Sequence, residues 1–150
     1  MEEEQLIEEV DKEAGSYVLI LYNEVEEEIK IGKLDSIDLK EGYYIYVGSA
    51  LGPGGVQARV KRHNQEHKKS HWHIDYLRAK TDLAAIWYLY STDRFEHQLA
   101  QLFAERSNIT VPLAGFGSSD CNCQAHLFYS GEEPKFSYYE EELEEVNLYK

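Results

Sequence analysis

Arg59 and His63 stand four residues apart in the most basic run of the chain. Residues 56–80 carry seven bases (Arg59, Lys61, Arg62, Lys68, Lys69, Arg78, Lys80) against Glu66 and Asp75, a local charge of +5, with His63, His67, His71 and His73 among them. Such a stretch attracts phosphate. On a helix, residues i and i+4 meet on one face, so a guanidinium and an imidazole would stand together there. A second group has different chemistry. Cys121 and Cys123, with His71, His73 and His126, offer thiolates and imidazoles to a tetrahedral Zn²⁺, although the Cys-x-Cys spacing is tighter than the usual Cys-x-x-Cys. The competing reading of His71-Trp72-His73 is packing, with hydrogen bonds that fix the loop holding Asp120. SALGPGG at 49–55 lacks the GK[ST] ending of a phosphate-binding loop. It reads as a turn that swings the chain into the next helix, with backbone amides that a phosphate could reach.

The elements that must carry these groups are legible in part. Residues 17–22 (YVLILY) are apolar throughout and predict a buried strand. Residues 28–34 alternate, with Ile29 and Ile31 on one face, and predict a half-exposed strand that forms a hairpin with the first. Residues 35–42 read as a loop. Residues 43–48 (YYIYVG) predict a third strand. Residues 56–66 predict a helix with Val56 and Val60 on one face and Arg59, Arg62, His63 and Glu66 on another. HWHIDYLRAK reads as a helix capped by Ser70, with a strand as the alternative. Residues 83–90 predict another buried strand, 95–105 an amphipathic helix after a Ser91-Thr92-Asp93 cap, and 126–129 a short closing strand. The sum is α+β, with a small, mostly antiparallel sheet flanked by helices.

Charge and length narrow the class. The 150 residues carry 28 acids and 15 bases, a net charge of −13. Most of the excess lies at the ends. Residues 1–14 hold seven acids and one base, and 131–150 hold seven acids and two bases. The expected organisation is an acidic arm or short helix at 1–14, a domain at 15–130 and an acidic tail at 131–150, the tail being either a last helix or an arm. The acidic ends would repel phosphate, cover the basic stretch or meet a protein partner. The apolar runs are too short to span a bilayer, the first residues are acidic rather than signal-like, and two closely spaced cysteines build no disulfide framework. A reduced, cytoplasmic protein with no membrane partner is expected.

At the first and third strands the residues resemble a known family. Gly15-Ser16-Tyr17 opens the first strand, Tyr46-Val47-Gly48 closes the third, a basic helix with Arg59 follows, and a later helix carries Glu96. In that order they resemble the GIY-YIG nuclease domain. The string YVGSA…RVKRH…HWHIDYL…GFGSSDCNC…HLFY is similar to one branch of that superfamily, found mainly in archaea and sometimes fused to a base-excision endonuclease. The resemblance implies a metal-dependent endonuclease that hydrolyses nucleic-acid phosphodiesters, structure-selective and suited to DNA repair, with DNA or another nucleic acid as partner. It implies that Tyr17 faces the attacking water, that Tyr46 bonds the phosphate or water beside it, and that Arg59 stabilises the developing charge. It implies a proton relay at His63 and one Mg²⁺, or Mn²⁺, held by Glu96.

Each position also has an ordinary reading. A tyrosine opening an apolar strand usually packs, and a glutamate near a helix start answers the macrodipole. Leu99, three residues after Glu96, repeats the family's glutamate-x-x-apolar spacing. The chain departs from the family in its GSY tripeptide, in a longer loop between Gly48 and Arg59, and in its closing asparagine. For that asparagine Asn108 and Asn122 compete, or Ser118, Ser119, Asp120 and His126 line the cleft instead. Two alternatives stay open: a nucleic-acid-binding domain without the reaction, and an interaction module stabilised by Zn²⁺.

Overall fold

Residues 15–23 (GSYVLILYN) contain no charged side chain, and their β-branched and aromatic content favours extended chain. A strand with two apolar faces needs a neighbour on each edge and cover on each side. The computed structural model describes residues 12–31, 35–52, 54–63, 73–92, 95–106, 108–112, 126–143 and 148–149. Its elements run β1 (Gly15–Asn23), β2 (Glu27–Ile31), β3 (Asp35–Leu39), β4 (Gly42–Ala50), α1 (Gly55–His63), α2 (His73–Arg78), β5 (Asp82–Tyr90), α3 (Glu96–Ala104), β6 (Leu127–Ser130) and α4 (Phe136–Glu142). β1 lies inside an antiparallel sheet of order β5-β1-β4-β6, and β2 and β3 form a separate two-stranded ribbon. The fold is the expected α+β arrangement.

The register separates two cores. Tyr17, Leu19 and Leu21 point to one face of the sheet, together with Tyr44 and Tyr46 of β4. Val56 and Val60 of α1, Ile74 and Leu77 of α2, and the ribbon's isoleucines cover that face. Val18, Ile20, Val47 and Trp87 point the other way, beneath α3 and α4. Tyr17 stands directly opposite Gly48 on one side and Tyr88 on the other.

Two expectations change. The predicted hairpin between the first two strands does not form: β2 pairs with β3, because both edges of β1 are taken by strands long enough to match it along its length. The predicted loop at 35–42 is largely β3, whose Ile37 and Leu39 alternate with Ser36 and Asp38 and bury against the same core as Ile29 and Ile31. The helix expected within HWHIDYLRAK is observed as α2, over six residues. The arm or helix expected at 1–14 lies almost wholly outside the described residues, and so does the Ser70 cap.

For the acidic stretch after residue 130, helix rather than arm is observed. Phe136, Tyr139 and Leu143 recur at i, i+3 and i+7, which is one apolar stripe. Tyr139 and Leu143 are buried, and Glu140, Glu141 and Glu142 face solvent. Leu148 is buried in the same cluster, and Tyr149 exchanges both backbone hydrogen bonds with Tyr88, at 2.8 and 2.9 Å. The acids are therefore the wet side of an element packed on the sheet. Among the described residues, no helix is long and apolar enough to cross a membrane.

Tyr139 packs its ring against Phe103 at 4.3 Å and Trp87 at 5.4 Å between centroids. Tyr139→Ala should cost about 3 kcal/mol, a fall in Tm of about 6–12 °C. Glu141→Ala should change stability by less than about 0.5 kcal/mol. Thermal and urea unfolding measure both, and equal effects would deny that the segment belongs to the core.

Candidate active site around Tyr17 and His63

The Tyr17 hydroxyl and His63 Nε2 lie 2.7 Å apart, both residues being almost fully buried. They are 46 positions apart in sequence and meet because β1 and the last turn of α1 share one core. On α1, Val56, Val60 and His63 are buried at i, i+4 and i+7. His63 was expected on the polar face with Arg59 and Arg62. It lies instead on the buried stripe, because this spacing returns the helix to the same side. Arg59, one turn earlier, is half-buried.

Glycine makes room for the phenol. A Cβ on Gly48, the residue opposite Tyr17, would strike the Tyr17 ring and hydroxyl. At Gly15 a Cβ would run into the Leu89 backbone carbonyl. Both glycines of the two tripeptides thus answer close approaches within the sheet. Tyr46 completes an aromatic triangle. Its ring centre is 6.4 Å from Tyr17 and 5.8 Å, edge-on, from His63.

Electrostatics link these groups to Glu96. Burial raises the Tyr17 phenol well above the usual range, with Tyr46 and Glu96 adding and Arg59 and Arg62 opposing. Burial likewise raises Tyr46, reinforced by Glu96 and Asp75 and opposed by the same two arginines. Both tyrosines are held as neutral phenols, and the Glu96 carboxylate acts on both. Glu96 gets there by position. It is the first residue of α3, which packs on the far face of the sheet. Phe95 precedes it, and no side chain caps the helix. His126 Nδ1 lies 3.9 Å and His97 Nε2 3.7 Å from its two carboxylate oxygens. The His126 carbonyl accepts from the amide of Val47, the neighbour of Tyr46, at 2.9 Å. His126 is buried, which lowers its pKa against the pull of Glu96, while His97 lowers it further.

Asn108 is exposed and follows α3, at the opposite end from Glu96. Asn122, Ser118, Ser119, Asp120, His71, Cys121, Cys123 and the side chain of His73 lie outside the described residues. Among the described residues, no group of three or more His, Cys, Asp and Glu is arranged to hold a metal ion. The amides offered by the glycine-rich turn are partly taken: Val56 donates to the Glu13 carbonyl at 2.9 Å and Gly55 to Gly52 at 3.1 Å.

One pair went unread in the sequence. Arg62 forks onto Asp75, with Nη1 to Oδ1 at 2.9 Å and Nη2 to Oδ2 at 3.1 Å. The Asp75 side chain is fully buried. This pair ties α1 to α2 beneath the site, and both charges act on Tyr46. The only hint was an acid within a basic run, a pattern that surface pairs share.

Removing the arginine would strip a buried carboxylate of this fork. Arg62→Met should therefore cost about 3–5 kcal/mol, whereas Arg62→Met combined with Asp75→Leu should recover most of that loss. Urea unfolding of the two variants checks this, and equal losses would contradict it.

Comparison with known proteins adds one assignment. No curated protein and no solved structure matches the chain significantly. A family model described as a domain of unknown function, DUF123, matches residues 16–147, a span that takes in Tyr17, Tyr46, Arg59, His63, Glu96 and α4. The chain belongs to the DUF123 family.

Proposed function

We propose that this chain is a divalent-metal-dependent endonuclease that hydrolyses nucleic-acid phosphodiesters, as the GIY-YIG nucleases it resembles do, with branched or flapped DNA of the kind met in repair as substrate. The proposed setting is the cytoplasm, and the proposed approach is over the basic α1 side. The observation that carries the reading is the buried Tyr17–His63 hydrogen bond at 2.7 Å, with the Tyr46 ring beside it and the Glu96 carboxylate acting on both phenols.

Hydrolysis needs a base for the water and positive charge on the phosphate. Burial holds the Tyr17 phenol well above its usual range, so a standing phenolate is not the base. Tyr17 instead passes a proton along. The attacking water gives its proton to the phenol oxygen while the phenol proton moves to His63 Nε2. The water oxygen bonds phosphorus, the bond to the leaving oxygen breaks, and that oxygen takes a proton from solvent. Tyr46 donates to a phosphate oxygen, and the Arg59 guanidinium balances the charge that builds on the phosphoryl oxygens. A lone carboxylate such as Glu96 suits a hard ion that keeps most of its waters, so the donor set fits Mg²⁺ or Mn²⁺. When bound, such an ion supplies positive charge to the phosphate and leaving oxygens. His97 and His126 lie 3.7 and 3.9 Å from the two Glu96 carboxylate oxygens.

The test is cleavage of an end-labelled flapped duplex with Mg²⁺ or Mn²⁺. Wild-type protein should cut it. Arg59→Ala and Glu96→Gln should each lower the rate by about 100-fold or more, with circular dichroism unchanged. No cutting by the wild type, or cutting that persists in both variants, would reject the assignment.

A further inference from the structure

Among the described residues, eight aromatic side chains are buried and Tyr149 alone is exposed. Tyr88 and Tyr90 of β5 are half-buried, and Tyr149 is 43% exposed. Their rings form one cluster. Tyr149 stacks on Tyr88 with centres 5.5 Å apart and planes at 23°, Tyr90 lies 5.8 Å from Tyr149, and Tyr88 and Tyr90 are 5.5 Å apart.

The place of this cluster follows from the register. Tyr149 stands opposite Tyr88, Tyr88 opposite Tyr17, and Tyr17 opposite Gly48. Directly opposed residues of antiparallel strands project to the same face. One row of side chains therefore runs across the sheet, from a solvent-facing ring at Tyr149, through Tyr88, to the buried phenol paired with His63. Adjacent strands are about 4.8 Å apart, so the backbone of Tyr149 lies roughly 10 Å from that of Tyr17. That is the reach of a nucleotide or two.

We infer that Tyr149, Tyr88 and Tyr90 form a stacking platform for an unpaired DNA base that flanks the scissile phosphate. The inference rests on the phosphodiesterase reading and deepens it, because it names the structural class of substrate. The chemistry of the cluster favours a base over a phosphate or a peptide. The three side chains are uncharged rings, and stacking on tyrosine tolerates any base because every base has a π face. A fully paired duplex keeps its bases stacked on each other and has none to give. The platform therefore selects substrates with an unpaired segment next to the cut. The row also gives the last residues of the chain a task besides closing the β5 edge.

The experiment measures binding by fluorescence anisotropy with EDTA present, so that no cleavage intervenes. The probes are a flapped DNA duplex, the same duplex with abasic spacers in place of the flap nucleotides, and a blunt duplex. Wild-type protein should bind the natural flap about fivefold or more tighter than the abasic one. Tyr149→Ala should lose that preference and leave blunt-duplex affinity and the salt dependence unchanged. Tyr149→Phe, which keeps the ring, should bind like the wild type. Equal preference for the natural flap in wild type and Tyr149→Ala would overturn the platform and leave the phosphodiesterase reading standing. Absence of binding to every probe by the wild type would overturn that reading and the platform with it.

Discussion

A phenol buried between a sheet and a helix must hydrogen-bond or lose the water it gave up, at about 1–3 kcal/mol. Tyr17 meets that demand through His63, and much of the molecule follows from the contact. The bond sets the rotation of α1 about its axis, because His63 can reach the phenol only if Val56 and Val60 face the sheet. That rotation leaves Arg59 half-buried one turn away. Gly48 belongs to the same constraint, since any larger residue in its place would occupy the volume of the phenol.

The two cores divide the labour around that contact. One holds the aromatic triangle, with α1 and α2 locked together by the Arg62–Asp75 fork. The other carries α3 and α4. Glu96 bridges them from the first turn of α3, at the end of β6, where His126 is bonded to the strand that bears Tyr46. Two neutral phenols and an imidazole thereby meet from elements far apart in sequence, under the charges of one carboxylate and two guanidinium groups.

What was legible in the sequence is what depends on local pattern. The buried strands β1, β4 and β5 were visible as apolar runs, and α1 and α3 as helical periodicity. Pairing was less visible, because β1 finds its partners across long loops while its nearest neighbour in sequence pairs elsewhere. β3 was hidden by Asp35, Ser36 and Asp38, which resemble a loop until the alternation of Ile37 and Leu39 is weighed. The acidic end hid an apolar stripe of Phe136, Tyr139 and Leu143. At the site, Tyr17, Tyr46 and His63 meet in one aromatic triangle, and the charges of Arg59 and Glu96 act on the two phenols. The burial of His63 was open to reading from its spacing after Val56 and Val60, whereas the Arg62–Asp75 fork was out of reach, since it depends on a contact between two helices that no local spacing encodes.

The proposed relay rests on the direction of one hydrogen bond, with a neutral Tyr17 donating to Nε2 of His63. Long-range ¹H–¹⁵N correlation spectra of the imidazole read that direction, with His63 assigned by comparing wild type with His63→Gln. The account predicts a ring protonated at Nδ1 only, whose Nε2 resonance moves in Tyr17→Phe. A proton on Nε2, or an Nε2 resonance indifferent to loss of the hydroxyl, would contradict it.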